Sequence, residues 1–148
     1  MKSLHLAKPE DAPKLLAMVA AFHAEMGFDT DAAHHEAAIA PLLEGSPYGA
    51  VWLIGPKLSP VGYVVICFGW SVEFGGMDAF VDEIYIRPAV RRRGMGAEAL
   101  NAMAATLKSN GVRALHLEVD RENTTAQSFY HRARFRPRDH YMLMTRTL

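Results

Sequence analysis

Three arginines and two glycines stand together in Pro88-Ala89-Val90-Arg91-Arg92-Arg93-Gly94-Met95-Gly96, between a strand-like run and a run with helical spacing. A loop that enters a helix leaves several backbone N–H groups without carbonyl partners, aimed outward at the positive end of the helix dipole. Gly94 and Gly96 let the backbone approach a ligand with no Cβ in the way. Arg91, Arg92 and Arg93 add fixed positive charge. Such a loop suits a pyrophosphate, and the same residues also read as an ordinary solvated basic loop. It is not a P-loop, because no Gly-Lys-Ser/Thr closes it, nor the dinucleotide fingerprint, which needs three glycines after a first strand.

Other reactive residue types carry less. The single cysteine, Cys67, excludes an intrachain disulfide and lies in an apolar run, where it reads as a buried free thiol. Seven histidines invite a metal reading, but His34 and His35 are adjacent on a predicted helix and diverge, and no acid at the right spacing completes a zinc motif. Surface or packing roles are expected for all seven, His131 and His140 included, and no metal is expected. Met18, Met95, Met103, Met142 and Met144 read as core or interface filler.

The elements that must position the loop follow from periodicity. Ser3 to Lys8 reads as a short strand ended by Pro9. Leu15, Val19, Phe22 and Met26 then recur on one helical face, with Gly27 as the stop. A second helix is expected from Asp31 to Leu43, with Asp31 or Thr30 as cap. Ala50 to Gly55, Val61 to Gly69 and Asp78 to Arg87 read as strands. In the last, simple alternation puts Phe80, Ile84 and Ile86 on one face and Val81, Glu83 and Tyr85 on the other. Beyond the basic loop, Ala97, Leu100, Ala104 and Leu107 give a helix closed by Asn110-Gly111. Val112 to Val119 is strand-like, Thr124 to Arg132 helical, and Phe135 to Thr145 reads as a final strand. The order β-α-α-β-β-β-α-β-α-β describes one α/β domain over residues 1–148 with a mixed sheet.

Composition agrees. A chain of 148 residues, 50% hydrophobic and 22% charged, is long enough for one real core and is neither disordered nor fibrous. Its longest apolar run, Val61 to Trp70, is far short of the ~20 residues of a membrane span. No secretion signal is visible, so a soluble cytoplasmic protein without membrane association is expected. The net charge of +0 hides an asymmetry: residues 1–86 hold 4 basic and 11 acidic residues, residues 87–148 hold 12 and 5. Opposite halves suit two ligands of opposite sign. A broad nucleic-acid surface is disfavoured by the acidic half, and no nucleic acid is expected as a partner.

Arg91-x-x-Gly94-x-Gly96, after Val81-Asp82-Glu83-Ile84-Tyr85-Ile86-Arg87-Pro88, resembles the coenzyme A loop of the GNAT N-acetyltransferases. Leu117-Glu118-Val119, Asn123, Ala126, Phe129-Tyr130 and Phe135 are similar to that family's second signature, so the resemblance runs from about Gly62 to Phe135. One departure is Arg134, where the family usually carries glycine. The resemblance implies a single-domain GNAT fold, with a mixed, mostly antiparallel sheet of about six or seven strands and about four helices. It also implies two splayed parallel strands, Asp78–Arg87 and Val112–Val119, with acetyl-CoA between them. The pyrophosphate would rest on the amides of Arg91, Arg92, Arg93, Gly94, Met95 and Gly96, and pantetheine would add like a strand to the backbone of Ile84, Tyr85 and Ile86.

Tyr130 matches the family's general acid, a phenol of pKa ~10 able to neutralise the departing thiolate. Asn123 has two readings, a helix N-cap and a cofactor contact. An incoming ammonium must lose a proton, and Asp82 or Glu83 stands where a carboxylate would take it, with Asp82 marginally ahead. Adjacent strand residues face opposite ways, so one of the two serves. Gly62-Tyr63 through Tyr85 looks like the polyamine-acetylating branch. Glu25, Asp29, Asp31, Glu73 and Asp78 each read singly as solvated helix ends and loops, and as a set as the lining of a cleft for a cationic acceptor that the loop Trp70 to Met77 could shape. The reading is acetyl transfer from acetyl-CoA to a primary amine by direct attack, without Cys67 as nucleophile. The rivals are a non-catalytic acyl-CoA sensor and a peptide N-acetyltransferase, and a homodimer through the final strand and methionines is left open.

Overall fold

The computed structural model describes residues 3–148. Contacts divide the chain into two compact units, Met1–Glu118 and Val119–Leu148.

The first unit is built on one five-stranded sheet in chain order, β1 (Leu4–Leu6), β2 (Gly49–Ile54), β3 (Gly62–Ser71), β4 (Gly76–Ile86) and β5 (Ala114–Leu117). The first three pairings are antiparallel and the last, β4 with β5, is parallel. Helices α1 (Ala12–Met26) and α2 (Ala32–Leu43) connect β1 to β2, and α3 (Met95–Ser109) connects β4 to β5. Gly27 ends α1 with a left-handed φ of 73°, and the Asp31 carboxylate caps α2 by accepting from the His34 amide at 2.9 Å. Both ends are those the sequence marks, because caps and stops are local chemistry.

One sheet face is covered by α1 and α2. Leu15, Met18 and Val19 of α1 and Ile39 and Leu43 of α2 form one buried cluster with Val51, Leu53, Tyr63, Val65 and Tyr85. The opposite face carries the buried Ile54, Val64, Ile66, Ala79 and Val81. Crossing from β4 to the parallel β5, α3 buries Ala99, Leu100, Met103 and Leu107.

Two features of β4 depart from simple alternation. Val65 pairs with Glu83 but its neighbour Ile66 pairs with Val81, so Asp82 is an extra residue, a β-bulge with no partner on β3. The bulge swaps faces: Phe80, paired with Cys67, shares the α1/α2 face with Glu83 and Tyr85, while Val81 goes with Ile84 and Ile86. The expected face assignment fails there because one inserted residue shifts the period of two. In addition, β5 pairs with β4 only from Asp78 to Val81, so Asp82 to Ile86 leave the parallel ladder and the two strands part. This is the splay implied by the resemblance.

The second unit holds α4 (Thr124–Arg132) with the expected bounds, capped by Asn123. The expected final strand is not formed: Pro137 lacks a ladder donor, Tyr141 N–H turns back to the Arg138 carbonyl at 3.0 Å, and residues 135–148 enter no ladder. Met142 and Met144 are exposed there rather than core. Among the described residues the sheet therefore has five strands, fewer than expected. Alternating sequence gives extended backbone, but it does not supply a partner strand.

Candidate active site

Glu83 lies on β4 just past the bulge, where the sheet bends and β5 falls away. Both its oxygens are engaged. The Tyr63 hydroxyl donates to Oε1 at 2.8 Å, and His23 Nε2 stands 2.7 Å from Oε2. Tyr63 is fully buried on β3, and burial together with Glu83 pushes its phenol far above the usual range, so it remains a donor. His23 sits in the last turn of α1, against Phe28 at 5.1 Å between ring centroids. Its Nδ1 is 2.8 Å from Thr30 Oγ1, which is in turn 2.8 Å from Nε2 of the buried His35.

Asp82 is exposed at the bulge, yet its carboxyl is raised above the usual value by local desolvation and then by Glu83 and Glu118, with His23 opposing. Three carboxylates, Asp82, Glu83 and Glu118, thus surround the point of splay. The opposite-facing argument does not hold at a bulge, where strict alternation lapses. Among the other acids named from sequence, Glu25 and Asp31 are committed elsewhere, to Arg91 and to the α2 cap. Asp78 pairs with His116 of β5 at 3.3 Å, and the His116 ring packs on Phe80 and Phe74 at 4.9 and 5.4 Å. Trp70 to Met77 is a tight hairpin end closed by Gly75 N–H on the Ser71 carbonyl, shorter than the loop expected. Cys67, half-buried rather than buried, has its thiol raised by desolvation first, then by Asp82 and Glu83.

The basic loop has the backbone form its sequence announces. Gly94 caps α3 at a left-handed φ of 81°, and Arg92 is also left-handed at 66°. Glu98 is the first α3 amide to bond a carbonyl, that of Gly94, so Met95, Gly96 and Ala97 present first-turn N–H groups without intrahelical acceptors. Arg91 differs from its neighbours. Its Nη2 bonds both Glu25 oxygens at 2.8 and 2.9 Å, its Nε bonds the Ile86 carbonyl, and its guanidinium lies over the Tyr85 ring. Its side chain ties β4 to α1, leaving Arg92 and Arg93 as exposed cations of the loop. Ile84, Tyr85 and Ile86 pair with β3 on one side only; their other backbone edge enters no ladder, and Arg91 Nε already holds the Ile86 carbonyl.

In the second unit, the Asn123 side-chain oxygen accepts from the Ala126 amide at 3.0 Å, which fulfils its capping role. Tyr130 packs edge-on against Phe129 and Phe135, and burial raises its phenol pKa. Arg134 takes the left-handed turn at φ 71°, with Phe135 N–H bonding the Tyr130 carbonyl behind it, so the turn forms without the family's glycine.

Sequence reasoning missed Tyr63, His23, Thr30 and His35. A row of side chains from four elements has no spacing signature, and the paired aromatic and histidine types gave the only hint.

The acetyltransferase (GNAT) family matches residues 14–135, and the chain belongs to that family. The protein is therefore an acyltransferase of the GNAT fold. It is similar over 99% of its length to an integron cassette protein from the mobile metagenome of Cole Harbour Salt Marsh, at 33% identity, a TM-score of 0.86 and 90% coverage of that chain. A protein of Arthrobacter sp. FB24 named as an acetyltransferase aligns with 92% of the chain and 86% of its own, at 31% identity and a TM-score of 0.79. An aminoglycoside acetyltransferase from an uncultured soil metagenomic sample shares the fold at 16% identity and a TM-score of 0.78, over 98% of this chain and 95% of that one. No curated protein matches the sequence. Among the described residues, no helix is long and apolar enough to cross a membrane.

Proposed function

We propose that the protein moves an acetyl group from acetyl-CoA to a primary amine, a small amine or polyamine, by direct attack in a ternary complex. The observation that carries this reading is a carboxylate, Glu83, fixed by two donors at the splay of β4 and β5 and flanked by Asp82 and Glu118. An amine is protonated near neutrality and cannot attack until it loses a proton. Each Glu83 oxygen keeps a lone pair beyond the one engaged by Tyr63 or His23, so the carboxylate can accept that proton as the N–H bond breaks. The resemblance puts Asp82 marginally ahead; the support around Glu83 favours Glu83 as the acceptor, with Asp82 and Glu118 assigned to the cation.

The chain fits the co-substrate. First-turn amides of α3 with Arg92 and Arg93 would hold the pyrophosphate, and the edge of Ile84 to Ile86 away from β3, free at Ile84, would hold the pantetheine arm. Acetyl-CoA supplies an acyl carbon with a thiol leaving group. Tyr130, kept protonated by burial, is assigned the proton that neutralises the departing sulfur. Cys67 is a poor nucleophile because its thiol is held protonated. Sequential kinetics are expected.

A thiol-release assay with acetyl-CoA against diamines, polyamines, lysine analogues and peptides tests the reading, with coenzyme A binding measured alongside. Turnover with small amines supports it. Turnover with peptides alone overturns the acceptor class, and binding without any turnover overturns catalysis.

A further inference from the structure

The His23 bond to Glu83 is the first of an unbroken row of hydrogen bonds. From Oε2 it passes through His23, the Thr30 hydroxyl and His35, at 2.7, 2.8 and 2.8 Å. It crosses β4, the end of α1, the turn between the helices and α2. Its far end, His35, is 6% exposed and is the buried polar side chain of the described residues. The two imidazoles also stack edge-on at 4.8 Å. Placing a buried imidazole, a part-buried imidazole and a part-buried hydroxyl in one row is costly unless each is paired, and here each is.

The donors in this row have little freedom. An ionised carboxylate only accepts, so His23 Nε2 must carry a hydrogen. In the neutral ring Nδ1 then accepts, and the hydroxyl of Thr30 must donate to it. That hydroxyl has one hydrogen, so it accepts from Nε2–H of His35. Every hydrogen from His35 onward points toward Glu83, and the Tyr63 hydroxyl points at the other oxygen. We infer that His23, Thr30 and His35 are positioning residues for acetyl transfer, which fix the orientation of the Glu83 carboxylate and the His23 tautomer that feeds it. The inference rests on the amine-acetylating reading above, since it assigns a purpose to the support of its proton acceptor. The row also couples the base to the turn at Gly27–Asp31, because its middle member, Thr30, belongs to that turn. Displacing the turn removes the acceptor of His35 and the donor to His23 together.

Thr30→Val tests this with the least disturbance, because it removes the hydroxyl and keeps the shape, and Thr30→Ser restores it. In the full chain, ¹⁵N NMR of the imidazoles should show His23 protonated at Nε2 with Nδ1 hydrogen-bonded, and Thr30→Val should shift the Nδ1 resonance. With the best amine from the panel, kcat should fall on the order of tenfold in Thr30→Val, the scale of one net hydrogen bond. The KM for acetyl-CoA should hold, the pH profile of kcat should move, and Thr30→Ser should recover the rate. His23 protonated at Nδ1 alone overturns the inference. So does a Thr30→Val protein that turns over like the unaltered one, or one whose loss Thr30→Ser fails to rescue while the thermal midpoint is unchanged. Absence of turnover in the unaltered protein across the amines is a different result. It overturns the acetyl-transfer reading first, and the inference only with it.

Discussion

The two halves of the site are built on different principles. The loop from Arg91 to Gly96 presents backbone: first-turn amides of α3, a left-handed Gly94 and two exposed arginines. The region behind Glu83 presents side chains held by other side chains, drawn from β3, β4, α1, the α1–α2 turn and α2. An anion with several oxygens tolerates small shifts among several amides, so a local loop suffices for it. A single proton transfer needs one oxygen aimed correctly, and aim requires support from distant segments.

This contrast is broken most directly at Glu83. Glu83→Gln keeps the shape and the bond from Tyr63 but removes the carboxylate proposed to accept the proton. The expected loss in kcat/KM for the amine is roughly 10²–10⁴-fold, the usual contribution of a general base, with coenzyme A affinity unchanged. If Asp82→Asn loses that much instead while Glu83→Gln does not, the roles of the two carboxylates are exchanged.

The loop should respond differently, and unevenly. Arg92→Ala combined with Arg93→Ala is expected to weaken coenzyme A about tenfold, with a shallower salt dependence than in the unaltered protein, because exposed cations act through a screened field. Arg91→Ala is expected to act through structure, since its guanidinium is spent on Glu25, Ile86 and Tyr85. That ion pair is 38% and 42% exposed, so its loss is worth about 0–1 kcal/mol. Calorimetric binding of coenzyme A at two salt concentrations separates the cases. Equal effects of all three arginines would remove the distinction between Arg91 and its neighbours.

What the sequence made legible follows the same division. The glycine loop, the cap at Asp31, the stop at Gly27 and α4 were readable because each depends on residues a few positions apart. Asp82 and Glu83 are readable as candidates, but the bulge that sets them apart is not, because a bulge is a property of two strands in register and alternation within one strand conceals it. His23 and His35 looked like surface or packing residues because their partners lie 60 and 5 positions away and their value lies in the pairing. The final strand fails for the converse reason: its alternating pattern is local, and a ladder needs a partner strand that alternation does not supply.

A smaller test concerns the second signature. Arg134 occupies a left-handed turn at φ 71° that glycine adopts without steric cost. Arg134→Gly should therefore stabilise the protein by about 1 kcal/mol, offset in part by the greater freedom of glycine in the unfolded chain. Thermal unfolding reads the change. A lower midpoint would mean that the arginine side chain contributes more than its backbone strain costs.

The smallest expected effect separates Asp82 from Glu83 by stability rather than rate. Desolvation, then Glu83 and Glu118, raise the Asp82 carboxyl above 3.8, partly opposed by His23. The folded protein therefore holds this proton to higher pH than the unfolded chain does. Below 3.8 both states are protonated and Asp82 costs nothing; as pH rises through the window above 3.8, the folded state loses stability relative to the unfolded one, and the loss persists at neutrality. Asp82→Asn removes the charge that is penalised, so its thermal midpoint should exceed that of the unaltered protein near neutral pH and converge with it in acid. The side chain is exposed and screened, so the gap is modest, and added salt should narrow it. A gap of equal size at both ends of the pH range would mean that the substitution acts through the bulge geometry instead of the charge. A carboxylate raised by desolvation, one residue from a carboxylate held by Tyr63 and His23, fits the proposed division of labour, in which Asp82 would contribute field for a cation and Glu83 a positioned acceptor for its proton.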